Sequence, residues 1–463
     1  MSLRNHKHYK IFFAFIFLLP FFLNFYNFEG NKFLFLVFQI SSYLLFLVII
    51  RKNISAFEFF TYIFFLLSFW FKFNCILFFK SIIVTESDFD LNISNYDNAV
   101  YIIIVTFISC ICASFIKEFI IKIPPKKNQL KINNSFKIFY KSYRIFIISA
   151  FIGLIIIIYL TNQYFEIYFK GLINDQAPSV IKYIYSYLMV YGLAVITSVL
   201  LYIDFLIYKN KKIFLLGIFE AFFTQLNILS RAFILSSIVY IRGYLLLINI
   251  KKINYSNSFF IKAIFLFLIF FFVSIYSVNK FRNIKHYSDD KNKTNITIVQ
   301  TFSEIMELSI NRWVGIDALL SVSQSKNTNF DFFFLAWTEK VDNKKLPFYS
   351  ENFNSKYHAH NSSAINNAIY LITPGIVAFL YYSGSVIFVF FNILILILFC
   401  FFIERLFYHF SCNNIILTNI IGYALALRVV HFGYVPSNTL NFFLSIIFSL
   451  IFILTITNLL KKK

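Results

Sequence analysis

Two short clusters and a few scattered arginines hold the side chains able to do chemistry. Histidine is the residue best placed to move a proton near neutral pH. Of the seven in the chain, His286, His358, His360 and His431 fall in one set of polar segments, and His6, His8 and His409 fall in another. In Tyr357-His358-Ala359-His360-Asn361-Ser362-Ser363 the H-x-H spacing invites a metal, yet no third ligand follows at a sensible distance. Solvated loop histidines, and a catalytic or sugar-binding role for one of them, are the other readings. Arginine presents paired planar donors that match phosphate. Arg231 (in Ser230-Arg231), Arg282, Arg312 and Arg428 (in Arg428-Val429-Val430-His431) belong to the same segments as the first group of histidines. Each alone also reads as a snorkelling interfacial arginine; gathered on one face, they would suit a diphosphate whose lipid tail lies in the bilayer. No Walker lysine motif, glycine-rich nucleotide loop or acidic cluster for a divalent metal is present. Neither a cofactor nor a metal is expected.

The elements that must position these residues are membrane helices. The chain of 463 residues is 59% hydrophobic and 14% charged, with 67 Phe and 30 Tyr, whereas a soluble domain has about 25% charged residues. Such a chain cannot cover its surface with polar groups, so lipid must do it. A span needs about 20 mostly apolar residues. Runs of that kind lie near 11–28, 33–50, 56–79, 98–121, 145–161, 183–208, 213–229, 232–250, 260–279, 370–403, 414–430 and 438–460. The expected fold is therefore an all-α polytopic membrane protein of about twelve helices, organised as 1–279 (spans one to nine), 280–366 (a large loop) and 367–463 (spans ten to twelve). The amino-terminal run lacks a small-residue cleavage site and reads as a retained first helix. The five cysteines form no CxxC pair, which leaves no disulfide framework and no zinc site.

Charge orients the helices. The net charge of +21 comes from 42 Lys+Arg against 21 Asp+Glu. Sorted by alternate loops, the excess falls on one side, where 122–144 alone holds seven basic residues and no acid, and where Glu118 and Glu404 are the opposing acids. By the positive-inside rule that side is cytoplasmic and carries both termini. The excess is topology rather than a nucleic-acid footprint, so no nucleic-acid partner is expected. Glu86, Asp88, Asp90 and Asp97 fall outside, as does the loop 280–366, in which 296–322 has the spacing of an amphipathic helix. The aromatic stretch 330–337 is expected to lie against the bilayer surface. Within the membrane, Glu220 and Arg242 sit at similar depth on adjacent antiparallel spans and are expected to form a buried structural ion pair. Asp204 and Lys72 lie nearer span ends and are expected to reach water.

Four local features, in this order and on one side, resemble the O-antigen and oligosaccharide repeat-unit polymerases of the Wzy type, which are related to the O-antigen ligases. They are Ser230-Arg231 at an outer turn; the large outer loop with Arg312 in Asn311-Arg312-Trp313-Val314-Gly315-Ile316-Asp317; His360-Asn361 leading out of that loop to Thr373-Pro374-Gly375; and the Arg428/His431 pair at the end of a late span. The smaller outer segment 162–182 departs from the pattern, offering only Lys170 and Lys182.

The resemblance implies a GT-C-like glycosyltransferase of the bacterial inner membrane, with a large helical periplasmic loop and a periplasm-facing active site in O-antigen or capsule synthesis. The implied reaction moves a growing glycan from undecaprenyl diphosphate to the nonreducing sugar of a lipid-linked repeat unit. His360, then His431, is the implied base. Arg231, Arg428, Arg312 and Arg282 would stabilise the leaving diphosphate, with Asn361 and Tyr357 at the sugar; Tyr357, Trp313 and Trp337 read equally as interfacial anchors. The implied partners are the undecaprenyl-diphosphate-linked oligosaccharide, membrane lipid and a chain-length-regulating co-polymerase. A lipid-linked oligosaccharide flippase is the nearest rival, and an O-antigen ligase shares the chemistry.

Overall fold

In lipid, a backbone satisfies its own donors and acceptors most simply as a helix. In a computed structural model of the chain, every regular element among the described residues is one. The structure describes residues 6–51, 54–79, 96–120, 133–169, 178–208, 213–230, 233–251, 257–286, 310, 313–340, 348–353, 373–432, 436 and 438–460. In chain order the helices are α1 (His6–Leu23), α2 (Lys32–Ile49), α3 (Ala56–Phe78), α4 (Tyr96–Ile120), α5 (Asn134–Phe165), α6 (Val180–Tyr208), α7 (Phe214–Asn227) and α8 (Phe233–Lys251). There follow α9 (Asn257–His286), α10 (Ile316–Gln324), α11 (Phe330–Trp337), α12 (Phe348–Phe353), α13 (Gly375–Tyr381), α14 (Val386–Phe410), α15 (Ile415–Val430) and α16 (Asn438–Leu460). Six of them, α2 to α6 and α14, are long and apolar enough to cross a membrane, and α1, α7, α8, α9, α15 and α16 carry shorter apolar stretches. The expected apolar runs are thus helical among the described residues, and six of them give helices of spanning length.

The departures are local. The run 370–403 is two helices, α13 and α14, separated by a reversal in which Gly384 takes φ +68° and Ser385 caps Phe388 N–H at 3.3 Å. The amphipathic run 296–322 is not one helix. Gly315 takes φ +141°, a backbone that only glycine adopts readily, and α10 starts after it. Helix α5 runs well beyond 145–161 at both ends. The stretch 330–337 forms α11, with Phe333 and Ala336 buried and Phe334, Leu335 and Trp337 exposed.

Helix α15 is the axis of the bundle. It is buried along most of its length, as a helix surrounded by others must be, and it packs against α3, α8, α14, α6 and α13. Its closest approach is to the start of α3, where a Cβ on Gly422 would lie 2.6 Å from the Phe57 nitrogen. The first turn of α3 is fastened twice: Ser55 and Glu58 form a capping box, and Glu404 of α14 accepts from the N–H groups of Ala56 (2.9 Å) and Phe57 (2.7 Å). A carboxylate at a helix amino terminus meets both the unpaired donors and the helix dipole.

The buried charges differ most from expectation. Glu220 and Arg242 do not pair. Glu220 accepts from the hydroxyls of Thr224 (2.8 Å) and Tyr240 (2.6 Å), while Arg242 donates to Asn419 and to the Ile54 carbonyl and lies over the Phe59 ring. Tyr240 and Arg242 are two residues apart, about 200° around a helix. With Tyr240 turned to α7, Arg242 faces α15 and the start of α3. Lys72 and Asp204 do not reach water either. Lys72 Nζ lies 2.7 Å from Asp317 Oδ2, with the two side chains 2% and 8% exposed. Asp204 is wholly buried and takes two bonds from Arg144, Nε to Oδ1 at 2.6 Å and Nη2 to Oδ2 at 3.2 Å, and one from Tyr140. Glu58 pairs with Lys117 and accepts from Ser114.

Helix ends meet one another in two groups. Residues from one set of loops meet each other, as Arg51 meets Glu118 (3.2 Å), and residues from the other set do likewise, as Asn31 N–H meets Asp97 (2.8 Å) and Asn98 meets the Ser323 carbonyl (3.2 Å).

Candidate functional site

The Arg428-to-His431 segment closes α15. Positions three apart share a helix face, so the guanidinium and the imidazole come from one side of the last turn. The Arg428 guanidinium carbon lies 5.9 Å from the centre of the Phe442 ring of α16. His431 Nδ1 lies 3.1 Å from the Leu427 carbonyl oxygen. A carbonyl can only accept, so Nδ1 carries the proton and the neutral ring has Nε2 as its proton-accepting nitrogen.

The large loop is built onto this end of the bundle. A Cβ on Gly375, the first residue of α13, would meet the Val430 carbonyl oxygen at 3.0 Å and Val314 Cγ1 at 3.3 Å, so loop, α13 and the end of α15 meet at one point. Beside it, Trp337 of α11 stacks on Phe432 with ring centres 6.0 Å apart, and Phe379 of α13 meets the same ring at 5.0 Å. An aromatic set holds the loop helices together: Phe332 packs on Phe348 (4.7 Å), and Phe353 stacks on Tyr382 (5.7 Å, planes 9° apart). Glu339 ties α11 to α12 by accepting the Phe348 N–H at 2.8 Å. Burial first, and the nearby charge of Glu351, raise the Glu339 carboxyl above its ordinary range, although the Phe348 hydrogen bond opposes them.

Lys72 anchors the other flank. Besides Asp317, it donates to the Trp313 carbonyl at 3.2 Å, which fixes the segment on both sides of Gly315. Trp313 itself packs at 6.3 Å from Phe64.

The turn that leads to Arg231 is tight. Leu229 takes φ +52°, its N–H bonds to the Leu226 carbonyl, and Ser230 N–H reaches back to Gln225 (2.9 Å). This is the Schellman closure with leucine where glycine is usual. A left-handed non-glycine residue costs about 1–2 kcal/mol, and backbone strain of this kind concentrates at functional sites.

Of the expected site residues, Arg428 and His431 both close α15, Arg428 over the Phe442 ring and His431 at the Leu427 carbonyl. Arg282 and His286, expected beyond span nine, lie within α9, which continues to His286. Arg231, Arg312, Tyr357, His358, His360 and Asn361 lie outside the described residues. Among the described residues, no three His, Cys, Asp or Glu side chains gather as a metal set. The Lys72–Asp317 pair and the Phe432 aromatic contacts were not anticipated. A lysine inside an apolar run was a usable signal, because such a charge needs a partner; nothing in the sequence marks which acid supplies it. The chain matches no protein-family model, no curated protein and no solved structure.

Proposed function

We propose that the chain is a polysaccharide polymerase of the bacterial inner membrane. It crosses the bilayer twelve times in a GT-C-like arrangement, with both termini cytoplasmic and the active site facing the periplasm. The observation that carries this reading is the packing of the large loop, through Gly375, Val314 and Trp337, onto the end of α15 that bears Arg428 and His431. A capped, partly water-excluded arginine and histidine at a membrane face suit a lipid diphosphate and a sugar hydroxyl better than either suits bulk water.

In the proposed step, a hydroxyl of the nonreducing sugar of a lipid-linked repeat unit attacks the anomeric carbon of the growing glycan. The bond from that carbon to the diphosphate oxygen breaks as the new glycosidic bond forms. The hydroxyl proton passes to a histidine, His360 or His431, and the departing undecaprenyl diphosphate keeps the electron pair. Its growing charge is met by Arg428 together with Arg231, Arg312 and Arg282, while Asn361 and Tyr357 hold the sugar. The sugar–diphosphate bond supplies the driving force. A co-polymerase that sets chain length is the expected protein partner.

The polysaccharide of a deletion strain tests the reading. Surface core carrying single repeat units is expected. Loss of all surface sugar would overturn the proposal in favour of a flippase or a ligase.

A further inference from the structure

At the end of the bundle opposite Arg428, helices α5, α6 and α16 enclose a groove of about 390 Å³. That volume is within the range of ligand cavities, about 300–1,000 Å³. Its walls are apolar: Phe136 from α5, Ile196, Val199 and Leu200 from α6, and Phe452 and Ile456 from α16. It exists because α5 stands off the bundle there. The inner part of α5 packs through a small cluster of its own, Tyr140 against Ile203 with Phe136, Val199 and Ile456 around them, and the Arg144–Tyr140–Asp204 hydrogen bonds hold the helix at that separation. From Ile196 to the end of α6 at Tyr208 is about 18 Å at 1.5 Å per residue. That is close to the hydrocarbon depth of one leaflet, half of about 30 Å.

The rim is basic. Lys137 and Lys141 are exposed on the first turns of α5, and with Arg144 they occupy i, i+4 and i+7, one helix face beside the groove. Arg144 is neutralised by Asp204; the two lysines have no acid near them in sequence. In sequence, lysines flank the same ends of all three helices. Lys131 and Lys127 precede α5, Lys209, Lys211 and Lys212 follow α6, and Lys461 to Lys463 follow α16.

The geometry points to a binding site for an anionic phospholipid, with an acyl chain in the groove and its phosphate at Lys137 and Lys141. Depth, apolar walls and positive rim agree in position, and Arg144 serves as the fixed strut between α5 and α6. The assignment is independent of the glycan reading, because it uses no residue of the opposite face.

The test is lipid retention by the purified full-length protein, measured by native mass spectrometry with added phosphatidylglycerol or phosphatidylcholine. Saturable binding of phosphatidylglycerol, about tenfold tighter than phosphatidylcholine, is expected from two lysines at a membrane surface. Leu200→Trp, or Ile456→Trp if the first variant does not fold, should fill the groove and abolish the bound lipid. Lys137→Gln with Lys141→Gln should leave lipid bound but remove the preference. Equal retention of the two lipids by the unaltered protein would overturn the site. So would unchanged phosphatidylglycerol binding in a folded groove-filled variant, or an intact preference in the glutamine pair.

Discussion

Lys72 and Asp317 meet at 2.7 Å across 245 positions of sequence, both almost fully buried, and so join a membrane helix to α10 of the large loop. A buried charge left without its partner costs about 3–5 kcal/mol, whereas replacing both partners by apolar residues is often neutral. Lys72→Met and Asp317→Leu should each lower the melting temperature of the purified protein, and the double variant should recover most of the loss. A double variant no better than the worse single one would mean that the pair is not the tie between loop and bundle.

Glu220 and Tyr240 form a unit that excludes Arg242. Tyr240→Phe removes a donor from a buried carboxyl and should destabilise by about 1–3 kcal/mol. In double-mutant cycles, Glu220→Gln should couple to Tyr240→Phe, while Glu220→Gln and Arg242→Met should add within about 0.5 kcal/mol, as sites without shared partners do. Strong coupling of Glu220 to Arg242 would restore the direct pair.

Arg428→Ala should stop chain elongation while single repeat units still reach the surface, and His431→Ala should cut turnover by about 10²- to 10⁴-fold, the usual contribution of a general base, with lipid-linked donor still bound. A full-length polymer ladder from Arg428→Ala would remove it from the diphosphate clamp. Unchanged turnover in His431→Ala would assign the base to His360.

The contact of Gly422 with α3 predicts a sharp contrast between two glycines. A methyl group at Gly422 would stand 2.6 Å from the Phe57 nitrogen, whereas one at Gly153 has nothing within 4 Å. Gly422→Ala should lose the monodisperse folded species in size-exclusion chromatography. Gly153→Ala should keep it, and should gain up to about 1 kcal/mol from helix propensity alone.

Glu339 gives the loop a pH response. Its folded carboxyl holds its proton more tightly than the unfolded one does, so its contribution to stability is fully present below the unfolded value, about 4.3. That contribution is lost as pH rises through the raised folded value. Hydrogen exchange at α12 should therefore quicken as pH rises across this window, beyond the intrinsic base-catalysed increase, and Glu339→Gln should abolish the excess. An excess that persists in the glutamine variant would assign the response to another group.

The helices were legible because each apolar run is long and the charge asymmetry between loops is large. Partner choice was not. Hydropathy places Glu220 and Arg242 at one depth but carries no helical phase, and 200° of rotation separates the residue that meets Glu220 from the one expected to. Lys72 and Asp204 were placed in water because snorkelling was assumed, whereas Asp317 and Arg144 come from distant segments to meet them. At the site, Arg428 and His431 were visible as a pair three residues apart. The strain at Leu229 was not, because leucine gives no sign of a left-handed backbone.

In α3, the turn Leu66–Phe71 has the wider π-helical winding, which accommodates one residue more than an α-helix would and shifts all that follows by about 100°. Lys72 is the first residue after it. The direction in which that lysine points is thus set by an insertion of one residue into an otherwise regular span. Removing one residue from the turn would leave a straighter, more ordinary helix whose ammonium group faces away from Asp317. Length variation in this span would accordingly be constrained by phase, with single deletions excluded even where hydropathy tolerates them.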